Sequence, residues 1–315
     1  MNMQAIRIHK FGGPEVMKDE TLPLPVPGTG EIRVRVTAAS VNPVDAKTRE
    51  GKFPLVPDDA LPLILGRDLC GVVEAVGDGV SEIKRGEAVF ALLGFDRGSY
   101  AQEVIVKRGE WARSPVNLSA VEAASVPLAA LTAWQGMIDY GHLKSGQRVL
   151  IHGGAGGVGH FAIQIAKAKG AWVAATCASG DIDFVRGLGA DTAIDYQNEK
   201  FDDLLSDIDL VFDLIAGQTQ ERSYKVLKHG GALISTLQEP DKAKALYDNL
   251  TIARYTTHPD ADELGQIAEL IEKGKIRPVI HAVYPLAEAG LAEEALAHEH
   301  VRGKIVLTAQ DGSRA

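Results

Sequence analysis

Hydrophobic and polar residues alternate with a period of two through much of the first 120 positions, as in Glu31-Ile-Arg-Val-Arg-Val-Thr37. That period places one face of a strand on a core and the other toward water. Gly71-Val-Val-Glu-Ala-Val76, Ala88-Val-Phe-Ala-Leu-Leu93 and Tyr100-Ala-Gln-Glu-Val-Ile-Val106 extend the pattern, and Pro23, Pro25, Pro27, Gly28 and Gly30 mark a loop. After Ser119 the pattern changes. Ser119 to Glu122 has the S-x-x-E form of a helix capping box, and from Arg148 short apolar runs alternate with helical ones. Strands are predicted at Arg148–His152, Trp172–Cys177, Thr192–Asp195, Asp209–Asp213 and Ala232–Thr236. Such β–α alternation implies a parallel sheet covered by helices on both faces. Near the end the pattern predicts a strand around Val279–Val283, a helix from Leu286 to about His298, the strand Lys304–Thr308 and a loose tail at Gln310–Ala315. The reading is α/β: a β-rich domain of residues 1–120 and 275–315 around a doubly wound domain of residues 121–274.

The length of 315 residues supports two cores rather than one. A net charge of −9 with no basic block argues against nucleic acid as a partner. The two cysteines, Cys70 and Cys177, make no disulfide framework, so a reducing, cytoplasmic setting is expected. The N-terminal residues read as an immediate strand rather than a signal peptide. The apolar stretch Ala123–Ile138 is too short to span a bilayer and reads as a buried helix.

The chemistry concentrates in Val149-Leu-Ile-His-Gly-Gly-Ala-Gly-Gly-Val-Gly159. Gly154, Gly156 and Gly159 form a G-x-G-x-x-G directly after a predicted strand, and Val158, Phe161, Ala162, Ile165 and Ala166 continue on one helical face. In that context the glycines permit a tight turn, a close backbone approach to a pyrophosphate and helix-on-strand packing, while the helix start offers its free N–H groups to the phosphates. The next strand ends Thr176-Cys177-Ala178-Ser179. No acid stands at its tip to hold ribose hydroxyls, and Ser179 can donate to a 2′-phosphate. NADPH is therefore expected over NADH, modestly, because Gly180-Asp181 follows and no Lys or Arg occurs before Arg186.

These segments, with Val41-Asn-Pro-Val-Asp45, Gly66-Arg-Asp-Leu-Cys-Gly-Val-Val73, Leu188-Gly-Ala-Asp-x-x-Ile-Asp-Tyr196 and Gly303-Lys-Ile-Val-Leu307, resemble the medium-chain dehydrogenase/reductase superfamily. The match is to its zinc-independent quinone oxidoreductase-like branch. The resemblance covers nearly the whole chain. It implies a GroES-like substrate domain and a Rossmann domain, with NADPH as cofactor. It also implies that Gly156, Gly157 and Val158 meet the pyrophosphate and that Thr132 lies toward the nicotinamide. By the same resemblance Ser179 and Tyr196 approach the 2′-phosphate, Lys304 is a basic group near the diphosphate, and Asn42 is a polar residue beside nicotinamide and substrate. Gly154 replaces the usual Ser or Ala. The three positions that hold catalytic zinc in zinc-dependent relatives are Asn42, Arg67 and a site near Leu128, none of which offers a metal donor set; no metal is expected.

Without a metal, an electron-poor acceptor fits best: a quinone or an α,β-unsaturated carbonyl, as in an enoyl reductase. A saturated alcohol fits poorly. No general acid stands out, so a rate nearly flat between pH 6 and 8 is expected. Two other readings stay open: a protein that holds NADPH with little turnover, and a zinc-type alcohol dehydrogenase, against which the ligand losses weigh. Asp45 is a candidate catalytic residue, although it could equally fix the local turn; Lys47 could also face substrate. Arg67 and Asp68 are expected to pair. His152 could line the cofactor site or make a structural hydrogen bond. Cys70 and Cys177 are expected buried and inert, His298 and His300 solvated, and Leu264, Ile267, Leu270 and Ile271 a helix core stripe. A homodimer through residues Ala232–Tyr255 is expected, because an exposed sheet edge needs cover.

Overall fold

The computed structural model describes residues 1–309; the expected tail lies outside them. The chain divides into two compact units. One comprises Met1–Leu128, His258–Glu272 and the segment from Pro278 onward, and the other Ala129–Thr257 with Lys273–Arg277.

The first unit is built on a largely antiparallel sheet around the long strand Glu31–Val41. Ile32, Val34 and Val36 are buried and their neighbours half-buried, as the alternation requires. The register against Asp68–Val76 shifts between Val36 and Ala38, and from Ala38 to Val41 every residue is buried. An irregularity of this kind re-aims the side chains beyond it. It brings Ser40 opposite Asp68, while Val41 pairs with Ile305 of the strand Lys304–Thr308. Ser40 and Asp68, with Lys304 next to Ile305, thus reach one place through sheet register. The helix Ala261–Glu272, expected on the dinucleotide-binding half, belongs to this unit instead. Its end is tied by Asn117 Nδ2 donating to Ile271 O (2.9 Å) and Val116 N to Glu272 Oε1 (3.2 Å). Leu264, Ile267 and Ile271 are buried, with Ala268 completing the stripe in place of Leu270.

The second unit holds six parallel strands in the order Thr192–Asp195, Trp172–Cys177, Arg148–His152, Ile208–Asp213, Leu227–Ser235, Thr251–Arg254. Counted from the first of them in sequence, this is the 3-2-1-4-5-6 order of the Rossmann fold. Its core is Leu150, Ala174, Ile194, Val211 and Leu233 under Phe201. The helix Gly159–Ala168 is buried from Gly159 through Ala166, not on one face alone. Gln164 adds an anchor: it accepts from Arg277 N (2.8 Å) and donates to Arg277 O (3.0 Å).

The capping box at Ser119 forms as expected, with Glu122 Oε2 accepting from Ser119 N at 2.9 Å. The apolar run behind it is not one helix. It breaks into Ala120–Ala124 and Pro127–Trp134 and then widens into a π-helix, Gln135–Tyr140. Pro127 ends the first piece. The wide turn accommodates Gly136, where a Cβ would lie 2.3 Å from Phe212 and 2.5 Å from the Tyr255 hydroxyl.

Candidate active site

In the Rossmann unit, ligands bind outside the carboxyl ends of the strands where the order reverses. That point lies between Arg148–His152 and Ile208–Asp213, and the glycine turn follows the first of these. Four glycines there have distinct causes. Gly153, which the motif spacing did not single out, carries the positive φ of +77°. A Cβ on Gly154 would stand 2.9 Å from Ala175 Cβ and 3.1 Å from Ile163 Cδ1, which explains why Ser or Ala is absent in this chain. A Cβ on Gly159 would meet Gly153 O at 2.1 Å, so helix and turn can close only on glycine. At Gly156 the nearest atom is 3.5 Å away, an ordinary contact. Packing within the chain therefore gives no reason for glycine at 156, and a ligand approaching the helix start does. By that observation the turn fits a dinucleotide pyrophosphate.

His152 anchors the turn. Ser223 Oγ donates to Thr219 O (2.7 Å), so His152 Nε2 donates to Ser223 Oγ (2.9 Å). Thr176 Oγ1 accepts from Gly153 N (3.3 Å) and donates to His152 Nδ1 (3.1 Å). Burial pushes the imidazole down to about 4, and it stays neutral. The structural role of His152 is the one realised. Across the switch point, Asp213 Oδ1 accepts from Ile215 N (3.0 Å) and Ala216 N (2.9 Å), and Oδ2 from Gln220 Nε2 and Ser235 Oγ (3.0 Å each). This holds Ala216 at φ +68° and ψ −167°, a conformation otherwise left to glycine. No sequence motif announced it.

Thr132 Oγ1 lies 2.6 Å from Thr257 Oγ1, and the Tyr255 hydroxyl donates to the Thr132 carbonyl. Tyr196 is exposed. Ser179 is exposed at the end of its strand, but its hydroxyl donates to Asp195 Oδ2 (2.5 Å), with Gln197 Oε1 at 2.9 Å. An acid is thus present after all, delivered by the neighbouring parallel strand, where Asp195 pairs with Cys177. Counting along one strand could not find it. Hydrogen bonds from Ser179 and Asn198 hold the Asp195 carboxyl below its usual range.

In the first unit a second cluster surrounds Asn42. Asp68 organises it: Oδ2 accepts from Ser40 Oγ (2.5 Å) and Asn42 Nδ2 (2.9 Å), and Oδ1 from Leu128 N (2.7 Å). One carboxylate therefore ties Asn42 to Leu128, the first at, and the second near, a position that the family resemblance matches to a zinc ligand. Lys304, 3% exposed, donates to Val41 O (3.0 Å) and to Asn42 Oδ1, and lies 3.9 Å from Asp68. Its ammonium is committed here and is not the open basic group expected near a diphosphate; burial lowers its pKa. The expected Arg67–Asp68 pair does not form. Arg67 Nε donates to Leu93 O (2.7 Å), and its guanidinium lies 3.7 Å over the Phe95 ring.

Asp45 Oδ2 accepts from Asn42 N (2.8 Å), completing a capping box on the helix Pro43–Arg49, and from the Tyr100 hydroxyl (3.2 Å). It does fix the local turn. Burial first, then the nearby Glu293, pushes its carboxyl up to about 7. Lys47 is exposed on the same helix. Ser40 and Tyr100 were not singled out in the sequence; Ser40 sits two residues before Asn42, which was the available signal.

Comparison with known proteins agrees with both halves. Residues 28–116 match the alcohol dehydrogenase GroES-like domain, and residues 188–307 the family described as zinc-binding dehydrogenase. An NADPH-dependent alkenal/one oxidoreductase from Arabidopsis thaliana is 35% identical over 97% of this chain and 79% of its own. A quinone oxidoreductase from Sus scrofa is 32% identical over 97% of each chain. The solved structure of a quinone oxidoreductase from Coxiella burnetii superposes with a TM-score of 0.90 at 34% identity, covering 98% of this chain and all of that one.

Proposed function

Since the chain belongs to the medium-chain dehydrogenase/reductase superfamily, in its zinc-independent quinone oxidoreductase-like branch, and is an NAD(P)H-dependent oxidoreductase acting on quinones or enones, we propose how its own residues divide the work. Gly156, Gly157 and Val158 receive the pyrophosphate at the helix start, with Gly154 supporting the turn. Thr132 lies toward the nicotinamide, and Ser179 and Tyr196 toward the adenosine end. The bound cofactor supplies hydride. Asn42 is a positioning residue, since both ends of its amide are engaged by Asp68 and Lys304. Asp45 supplies the proton that completes reduction.

The observation that carries this reading is Asp68 bridging Asn42 and Leu128: both of its carboxylate oxygens are engaged by N–H and O–H donors of the chain, and neither Asn42 nor Leu128 offers a thiolate or an imidazole. A site so built suits an acceptor that takes hydride without Lewis-acid help. The expected result is NADPH oxidation by menadione or 2-cyclohexen-1-one, none by cyclohexanone, and no effect of chelators. The flat pH profile read from the sequence gives way to a rate that falls as pH rises through about 7, where Asp45 loses its proton. NADPH should exceed NADH by no more than about tenfold, because Asp195 already holds Ser179. Asn42→Ala should slow turnover more than it weakens cofactor binding. Reduction of cyclohexanone by the metal-free protein would refute the acceptor class.

Thr251–Arg254 is an edge strand of the Rossmann sheet, which supports a homodimer through residues Ala232–Tyr255. Light scattering should give twice the chain mass at micromolar concentration; a monomer mass refutes it. The described residues contain no helix long and apolar enough to cross a membrane. Cys70 and Cys177 are both free and buried, which supports placement in the cytoplasm.

A further inference from the structure

An α-helix closes each rung between the carbonyl of one residue and the N–H four places on. For Thr132 that partner is Gly136, and the Tyr255 hydroxyl touches both. It donates to Thr132 O and accepts from Gly136 N. Burial raises the pKa of this hydroxyl well above its ordinary value, so it keeps the proton it donates. Glycine at 136 is what admits it, since a Cβ there would stand 2.5 Å from the hydroxyl oxygen. A side chain that enters a helical ladder distorts it locally, and it is here that the helix widens into the π-helix Gln135–Tyr140. Such π-bulges are frequent at functional sites.

Tyr255 is itself held by the sheet. Its N–H donates to Ser235 O (3.2 Å), one residue beyond the pairing of Ser235 with Arg254. Its buried ring stacks on Tyr140, with 4.8 Å between centroids. Two residues on, Thr257 Oγ1 lies 2.6 Å from Thr132 Oγ1. The three residues that follow the strand Thr251–Arg254 thus grip Thr132 at its carbonyl and at its hydroxyl.

We propose that Tyr255 is a positioning residue for hydride transfer: inserted at the Thr132–Gly136 rung, its hydroxyl fixes the turn that carries Thr132 and thereby the resting place of the nicotinamide ring. The proposal rests on the reading that Thr132 lies toward the nicotinamide. Hydride transfer is sensitive to such placement, because an error of about 1 Å can cost roughly 100-fold in rate. In Tyr255→Phe the ring still stacks on Tyr140, but nothing holds the rung open, and the turn that bears Thr132 closes toward α-helical spacing.

The test compares Tyr255→Phe, Thr132→Val and the two combined, each checked for folding by circular dichroism. Single-turnover oxidation of NADPH by 2-cyclohexen-1-one should slow by about tenfold in each single variant, and by no more than that in the double, since one residue acts through the other. The emission of bound NADPH, recorded without acceptor, should change in Tyr255→Phe and change no further in the double. NADPH affinity should stay within about threefold of wild type in all three, because the pyrophosphate turn is untouched. A wild-type rate and emission in Tyr255→Phe, beside a slow Thr132→Val, overturns the proposal and leaves the reading of Thr132 standing. A double variant slowed by about 100-fold, the product of the singles, also overturns it, because Tyr255 then acts apart from Thr132. If Thr132→Val matches wild type in rate and emission, the reading of Thr132 fails and takes the proposal with it. If no enone is reduced, the acceptor reading fails and the emission alone decides.

Discussion

Asp45→Asn should make the protein more stable at pH 8, although it removes a residue from the candidate site. The sign follows from protonation. The unfolded carboxyl ionises near 3.8 and the folded one near 7, so between those values the folded state holds a proton that the unfolded state has released. Stability from this group is therefore greatest at low pH and is lost as pH rises from about 4 to 7. The full loss is on the order of 4 kcal/mol. Asparagine keeps an oxygen to accept from Asn42 N and the Tyr100 hydroxyl, and has no charge to bury. Urea unfolding should place the variant roughly 2–4 kcal/mol above wild type at pH 8, with the gap narrowing toward pH 5. Turnover should drop in the same variant, the trade of stability for function expected where a site is strained. A variant no more stable than wild type at pH 8 would show that Asp45 ionises at an ordinary pH.

The second large effect is at Gly156. Valine there should weaken dinucleotide binding by at least 1,000-fold, equivalent to about 4 kcal/mol, while unfolding midpoints stay close to wild type. The separation is possible because the Cβ position is open within the chain, 3.5 Å from its nearest neighbour. Gly159→Ala is the contrast: its Cβ would fall 2.1 Å from Gly153 O, so stability should suffer first. Fluorescence titration with NADPH and thermal melting of both variants separate the two causes. Unchanged affinity in Gly156→Val would place the cofactor elsewhere.

Strands of the Rossmann unit were readable because their apolar runs are short, bounded and separated by helical periods. Trp172–Cys177 and Thr192–Asp195 fall on their expected limits. The glycine fingerprint was readable for the same reason, since its meaning is local. What the sequence hid is non-local. Ser40, Asp68 and Lys304 meet only through the register of three strands, and Asp195 reaches Ser179 only because two parallel strands end together. Arg67 and Asp68 are neighbours in sequence, which suggested a pair, but Arg67 stands just before the strand that begins at Asp68, and each found other partners. Helix Ala261–Glu272 was assigned by its place in the chain, whereas its docking to Asn117 decides its unit.

The π-helix at Gln135–Tyr140 has a consequence for kinship as well as for shape. In length it amounts to one residue inserted into an α-helix. Each α-helical residue turns the chain by about 100°. A relative lacking that residue would present the position aligned with Thr132 on another side of the helix, unless its backbone compensated elsewhere. Homology at this threonine is therefore a matter of where the extra residue sits, and an alignment gap of one position between Trp134 and Gly141 would carry more information than the identity of any single side chain there.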